Sequence, residues 1–171
     1  AAKAGAAAIK RPADLASDSA VIEDAITHAL HTFSADHQVP ATLVLLQPTS
    51  PLRKSSTISD AVRLFTENGS VGSVYGVIEA EHHPYKTFIA NDSTLLPVGS
   101  IEDLSRSRHE LPKAYRQSGS IYVVGVQDFL TSNSLHISPV RWIEVGQEEA
   151  IDVDTPADLE AVRQAARNAN A

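Results

Sequence analysis

The 171-residue sequence contains no cysteine and no methionine, a single tryptophan, and only 5% aromatic residues. Without cysteine there can be no disulfide framework and no thiolate zinc site, which fits a reducing compartment such as the cytoplasm. No apolar run approaches the roughly 20 residues of a membrane span, and the N-terminus lacks a charged-then-apolar signal pattern, so no membrane partner is expected. Positive charge is also scarce: 14 Lys and Arg stand against 21 Asp and Glu, a formal net charge of -7. Nucleic acid is therefore not an expected partner, because phosphate-backbone binding needs clustered basic residues. The seven histidines show no pair at zinc-site spacing with a third ligand. Lacking methionine, the chain lacks the residue that normally starts translation. Its opening Ala1-Ala2-Lys3-Ala4-Gly5 reads as a helix end with Gly5 near the C-cap, so N-terminal truncation is expected.

What is present suffices for one core. With 43% hydrophobic and 20% charged residues, residues 1–171 are expected to form a single α/β domain with a small insertion. Ile22, Ala25, Ile26, Ala29 and Phe33 recur at helical spacing, predicting an amphipathic helix from Asp18 to Phe33 capped by Asp18 or Ser19. Ala41 to Leu46 is apolar on both faces, as a central strand of a parallel sheet would be. A second helix follows, capped by Ser55 or Ser56, with Ile58, Ala61, Val62 and Phe65 on its apolar face and Asn68-Gly69 as its stop. Val71 to Ala80 reads as the next strand. Strands alternating with helices predict a mostly parallel sheet covered on both sides. Residues 81–119 break this rhythm and read as an excursion from the sheet. Strands at 120–125 and 141–145, a short helix at 127–131, and a final helix opened by Thr155-Pro156-Ala157-Asp158 complete the pattern.

The segment Gln47-Pro48-Thr49-Ser50-Pro51-Leu52-Arg53 lies where ligands bind in open α/β sheets, at the carboxyl end of a strand. Gln47 can donate and accept, Thr49 and Ser50 offer hydroxyls, and Arg53 offers a guanidinium fork for phosphate or carboxylate. On composition alone, ordinary turn chemistry explains this loop slightly better. Likewise Asp154 and Thr155 taken alone read as a helix cap, with Asp152 solvated beside it.

Identity of residues changes the balance. Leu45 to Arg53, LLQPTSPLR, resembles the corresponding motif of bacterial CMP-N-acetylneuraminate synthetases and their nonulosonate relatives. Arg11 to Ala16 is similar to that family's RPxxLA, Arg108 to Pro112 to its RQxLP, Gly119 to Tyr122 to its NGAIY, and Ile151 to Leu159 to its IDIDTPEDL, all in the same order. The resemblance implies a Rossmann-like nucleotidyltransferase fold in which residues 81–119 serve dimerisation. It also implies a Mg²⁺-dependent cytidylyltransferase acting on CTP and a nonulosonic acid, with pyrophosphate leaving as the anomeric hydroxyl attacks the α-phosphate.

Carried over by motif, Asp152 and Asp154 are implied as the metal-binding pair, two carboxylates sharing one face of a strand, and Arg116 joins them among the catalytic residues. Gln47 and Tyr122 match sugar-contacting positions, while Arg108 and Arg116 match arginines near the sugar carboxylate or the phosphates. Thr49, Ser50 and Arg53 fall to substrate binding with Gln47. Lys86 matches a lysine offered across the interface of an implied homodimer. For Tyr122 a core position, and for each arginine a solvated surface position, remain equal alternatives.

Departures are visible too. Ser118 stands where the family commonly has Asn, and Leu135-His136 stands where some members have a Phe-Phe pair lining the sugar pocket. Sialic, pseudaminic and legionaminic acids all stay open as acceptors. The family's basic, glycine-containing phosphate loop has no counterpart, so the chain as given is expected to be inactive. Two other readings stand beside this one: a Kdo-type cytidylyltransferase, and a short paralogue acting as a binding or regulatory subunit.

Overall fold

The computed structural model describes residues 5–17 and 19–168. Among these residues four α-helices and six strands follow one another in an α/β order. Helix α1 (Ile22–Ser34) leads into β1 (Thr42–Leu45), then α2 (Ser55–Glu67) and β2 (Ser73–Glu79). A hairpin of β3 (Phe88–Asn91) and β4 (Thr94–Pro97) precedes the long β5 (Tyr115–Gly125), which runs directly into α3 (Val126–Ser132). Strand β6 (Val140–Glu144) and α4 (Pro156–Asn168) close the chain.

The main sheet has the order β1-β5-β2-β6. Strands β2 and β6 pair in parallel, but β5 lies antiparallel to both β1 and β2. The sheet is therefore mixed, not mostly parallel as the strand and helix alternation predicts. The reason is the excursion: it returns the chain at the far end of β2, so β5 runs back between β1 and β2. Among the described residues β1 pairs only with β5, which makes it an edge strand of half-buried residues and not a central one.

Alternation along β5 separates two cores. Tyr122 and Val124 face one side, where they pack with Ile26 and Leu30 of α1 and with Val126 and Phe129 at α3. Ile121 and Val123 face the other, against Ala61 and Phe65 of α2. Both sides of the sheet are thus covered, as predicted, and each fully buried Phe or Val contributes about 1.5–3 kcal/mol by leaving water.

Local differences have local causes. Helix α1 starts at Ile22 with Val21 as N-cap and no side-chain cap, so Ser19 does not cap it; Asp18 lies outside the described residues. Gly5 takes a left-handed φ of 77°, as a helix C-cap would, but the residues before it lie outside the described set. Neither Ser55 nor Ser56 caps α2, whose N-cap is Lys54 without a side-chain bond. The excursion is shorter than 81–119, because β5 already begins at Tyr115. Residues 151–154 form no strand. Among the described residues no helix is long and apolar enough to cross a membrane.

Candidate functional site

The site is built on an irregularity in β5. Tyr75 pairs with Tyr122, yet two residues later Val77 pairs with Gln117, so β5 carries extra residues across from Gly76. Two serine hydroxyls hold this bulge. Ser118 Oγ donates to the Gly76 carbonyl at 2.8 Å, which leaves Ser120 Oγ as the donor in the 2.6 Å contact between the two hydroxyls. Gly76 is required there, since a Cβ would stand 2.4 Å from Ser120 Oγ. Ser118 is thus buried in the bulge, which explains how serine can occupy this position.

At the crest of the bulge Gly119 adopts a φ of 75°. Three predicted segments meet around it: an ideal Cβ at Gly119 would lie 2.8 Å from Gln47 Oε1, 3.5 Å from Ser50 Oγ and 3.9 Å from Asp152 Oδ2. Residues more than a hundred positions apart in sequence are brought together here. Ser50 Oγ is fully buried and has no hydrogen-bond partner among the described residues, a polar atom held out of water beside this point.

The Gln47–Arg53 loop is fixed from beneath. Arg53 donates from Nε to the Ser120 carbonyl and from Nη2 to the Gln47 carbonyl at 2.7 Å, so its fork joins the loop to the bulge. Burial works against the charge of Arg53 and pulls its pKa down, an effect that nearby Glu149 partly offsets. Thr49 contributes through its backbone, accepting the Val153 N–H at 2.8 Å. That bond docks the 151–154 segment onto the loop although no strand forms. Asp152 and Asp154 are exposed on either side of half-buried Val153.

The cap at α4 leaves the Asp154 carboxylate out. Asp158 Oδ2 accepts from Thr155 N and from Thr155 Oγ1, each at 2.7 Å, and Asp154 supplies only its N–H, at 3.3 Å. Neither Asp152 nor Asp154 has its carboxylate in a hydrogen bond or ion pair within the described residues. Together they offer two carboxylates; no group of three or more His, Cys, Asp or Glu forms a metal cage among the described residues. Such a donor set suits Mg²⁺, which keeps several waters and takes substrate phosphate oxygens alongside one or two carboxylates.

A cleft of about 900 Å³ opens beside Asp152, with Arg116, Glu79, Glu144 and Asp158 in its walls. It shares Glu79, Glu81 and Gln147 with a second cleft of about 540 Å³ that contains Arg108, His83 and Lys113. Arg116 and Arg108 therefore line two neighbouring clefts with shared walls, while Asp154 lies outside both linings. Tyr122 takes its core alternative: it is buried, edge-on to Tyr75 at 5.3 Å, with its hydroxyl directed to Gln117 Oε1 at 3.4 Å. Burial raises its pKa, and Tyr75 and the charge of Asp152 raise it further.

Lys86 is separate from this group. Its ammonium donates to the Leu104 carbonyl at 2.7 Å and to that of Arg106, tying the excursion together. The residue that sequence reasoning missed is Glu149, a buried carboxylate bonded to the start of α2. Glu148-Glu149 looks like an ordinary charged turn, and no signal in the sequence marks the second glutamate as inward-facing.

No family model matches the chain. It is 30% identical over 157 residues to the N-acylneuraminate cytidylyltransferase of Streptococcus agalactiae serotype III, covering 91% of this chain and 36% of that protein. It is 30% identical over 150 residues to the CMP-N,N'-diacetyllegionaminic acid synthase of Legionella pneumophila, covering 86% of this chain and 63% of that one. A post-translational flagellin modification protein B of Campylobacter coli is 28% identical over 157 residues, covering 90% of this chain and 65% of its own length. The chain thus spans between about a third and two thirds of the length of these relatives. At about 30% identity over most of this chain, these relatives support the family of N-acylneuraminate and related nonulosonate cytidylyltransferases.

Proposed function

We propose that the full-length protein transfers CMP from CTP to the anomeric hydroxyl of a nonulosonic acid and releases pyrophosphate. The observation that carries this reading is the meeting of Gln47, Ser50 and Asp152 around Gly119, with Arg116 in the cleft beside Asp152 and Arg108 in the cleft next to it. The relatives named for N-acylneuraminate and for diacetyllegionaminate support the reaction class.

In this reading Gln47 orients the acceptor by hydrogen bonds to its hydroxyl or acyl groups, and Ser50, buried behind Gly119, supports the loop that presents Gln47. Arg116 and Arg108 hold the acceptor carboxylate and the phosphates, which favours guanidinium forks over lysine. Asp152 and Asp154 would hold Mg²⁺, and the bound ion would neutralise charge on the transferring phosphate. Arg53 serves the substrate indirectly, by holding the loop in shape.

The exposed hairpin carries Phe88, Ile89, Leu95 and Leu96 in adjacent register, each at least 46% exposed. A two-stranded hairpin is marginal alone, so a homodimer that covers it is part of the proposal, as is a cytoplasmic location in keeping with the lack of cysteine.

The test is pyrophosphate release by the full-length protein with Mg²⁺, each of the four nucleoside triphosphates, and a panel of N-acetylneuraminate, legionaminate, pseudaminate and Kdo. Release with CTP and a nine-carbon acid is expected. Release with Kdo alone, or with a different triphosphate, would replace this reading.

A further inference from the structure

Among the described residues Glu149 is the only charged residue that is buried, at 3% exposure. Its carboxylate crosses to a distant segment: Oε2 accepts from the Lys54 N–H at 3.1 Å and from Thr57 Oγ1 at 2.6 Å, and Oε1 lies 3.4 Å from Lys54 Nζ. Lys54 is the N-cap of α2 and supplies no capping side-chain bond of its own, so a carboxylate from elsewhere takes the N-cap N–H and the Thr57 hydroxyl at this helix start.

The turn that carries Glu149 is closed by Ala150 N–H to the Gly146 carbonyl at 3.1 Å and by Ile151 N–H to the Glu148 carbonyl at 3.3 Å. Four residues beyond Glu149, Val153 is bonded to Thr49 at 2.8 Å. Two pins thus join the same pair of segments, one on each side of Asp152. Burying a carboxylate is costly, and α4 shows that this chain can cap a helix with one that is only half-buried, Asp158. The cost is explained if the long-range tether itself is what matters.

We propose that Glu149 is a positioning residue which locks the Asp152–Asp154 segment onto the Gln47–Arg53 loop through the N-terminus of α2. Glu149 is buried and lines neither cleft, so it acts without touching substrate. It fixes the distance between the two exposed carboxylates and the Gln47 side chain. This rests on the CMP-transfer reading and adds to it a residue that acts through others.

The test uses the full-length protein with Glu149→Gln, Thr57→Val and, as a control for lost stability alone, Phe65→Ala, a core residue of α2 that lines neither cleft. Two quantities are read: the Mg²⁺ dependence of pyrophosphate release, and the hydrogen exchange of the Val153 amide. In Glu149→Gln the half-saturating Mg²⁺ concentration is expected to rise about tenfold and kcat to fall about tenfold or more, with KM for CTP little changed, as for residues that orient ligands from behind. Val153 exchange is expected to quicken about tenfold. Thr57→Val should move both in the same direction by less, and Phe65→Ala should lower Tm without moving the Mg²⁺ dependence.

Unchanged Val153 exchange in folded Glu149→Gln overturns the tether whether or not any activity is seen. Equal Mg²⁺ shifts in Glu149→Gln and Phe65→Ala overturn positioning in favour of simple destabilisation. A wild-type protein inactive with every acceptor, but with Val153 exchange responding to Glu149→Gln, would overturn the transfer reading and leave the tether standing.

Discussion

Gly119 approaches Gln47 so closely that any Cβ at position 119 would lie 2.8 Å from Gln47 Oε1. A positive φ of 75° at the same residue makes glycine doubly necessary. Gly119→Ala is therefore predicted to cost about 1–2 kcal/mol from the backbone alone and to push the Gln47 side chain off its place. Urea unfolding measures the first effect. Activity measures the second: a loss of more than about tenfold is expected, since small misplacements of positioning groups are expensive. In Gln47→Ala/Gly119→Ala the unfolding cost should shrink toward the backbone share.

Arg53 holds two carbonyls from different segments with one planar group. Arg53→Ala should cost about 1.5–3 kcal/mol, the range for charge-assisted hydrogen bonds. Arg53→Lys should recover less than half of that, because a single ammonium cannot span both carbonyls as the fork does. Full recovery by lysine, read from urea midpoints, would show that charge alone matters there.

Acid should loosen the site through its carboxylates. Burial pushes the Glu149 carboxyl up, but the bonds from Thr57 and Lys54 and the Lys54 charge outweigh it and hold the pKa below the ordinary glutamate value. Asp158 is held low by the Thr155 hydroxyl and by backbone N–H groups. A depressed folded pKa gives stability that is fully present above the unfolded pKa and lost as pH falls through the folded one. Wild type should therefore exceed Glu149→Gln in Tm by a constant margin at neutral pH, and the margin should close below about pH 4. A margin independent of pH would mean that the charge of Glu149 contributes nothing.

Phe65 is fully buried between α2 and the sheet, with Ala61, Val74, Ile121 and Val123 around it. Phe65→Ala should destabilise the protein by about 3–5 kcal/mol in chemical denaturation. A cost under about 1 kcal/mol would contradict the packing described for this side of the sheet.

The parts legible in the sequence are those that local spacing or residue identity encodes. Ile58, Ala61, Val62 and Phe65 mark α2 by their period, and the apolar run at 71–80 marks β2. The Gln47–Arg53 loop and Ile151–Leu159 are legible by motif, and the structure sets Gln47 beside Asp152. What stayed hidden depends on non-local pairing. The direction of β5 follows from where the excursion returns the chain, and nothing in Ser120 to Gly125 encodes it. The Ser118–Gly119–Ser120 bulge depends on Gly76 across the sheet. Tyr122 turns inward because its register partner is Tyr75. Lys86 bonds to carbonyls of its own excursion, which its neighbours in sequence do not announce.

The most direct test of the central claim follows ³¹P resonances as the full-length protein acts on CTP, Mg²⁺ and a nonulosonic acid, in wild type and in Asp154→Ala. In wild type the three CTP signals should give way to pyrophosphate and a single phosphodiester resonance, that of a CMP-sugar. Asp154→Ala should form it more slowly, most of all at limiting Mg²⁺. Hydrolysis of CTP without the diester, or undiminished diester formation by Asp154→Ala at limiting Mg²⁺, would contradict the account.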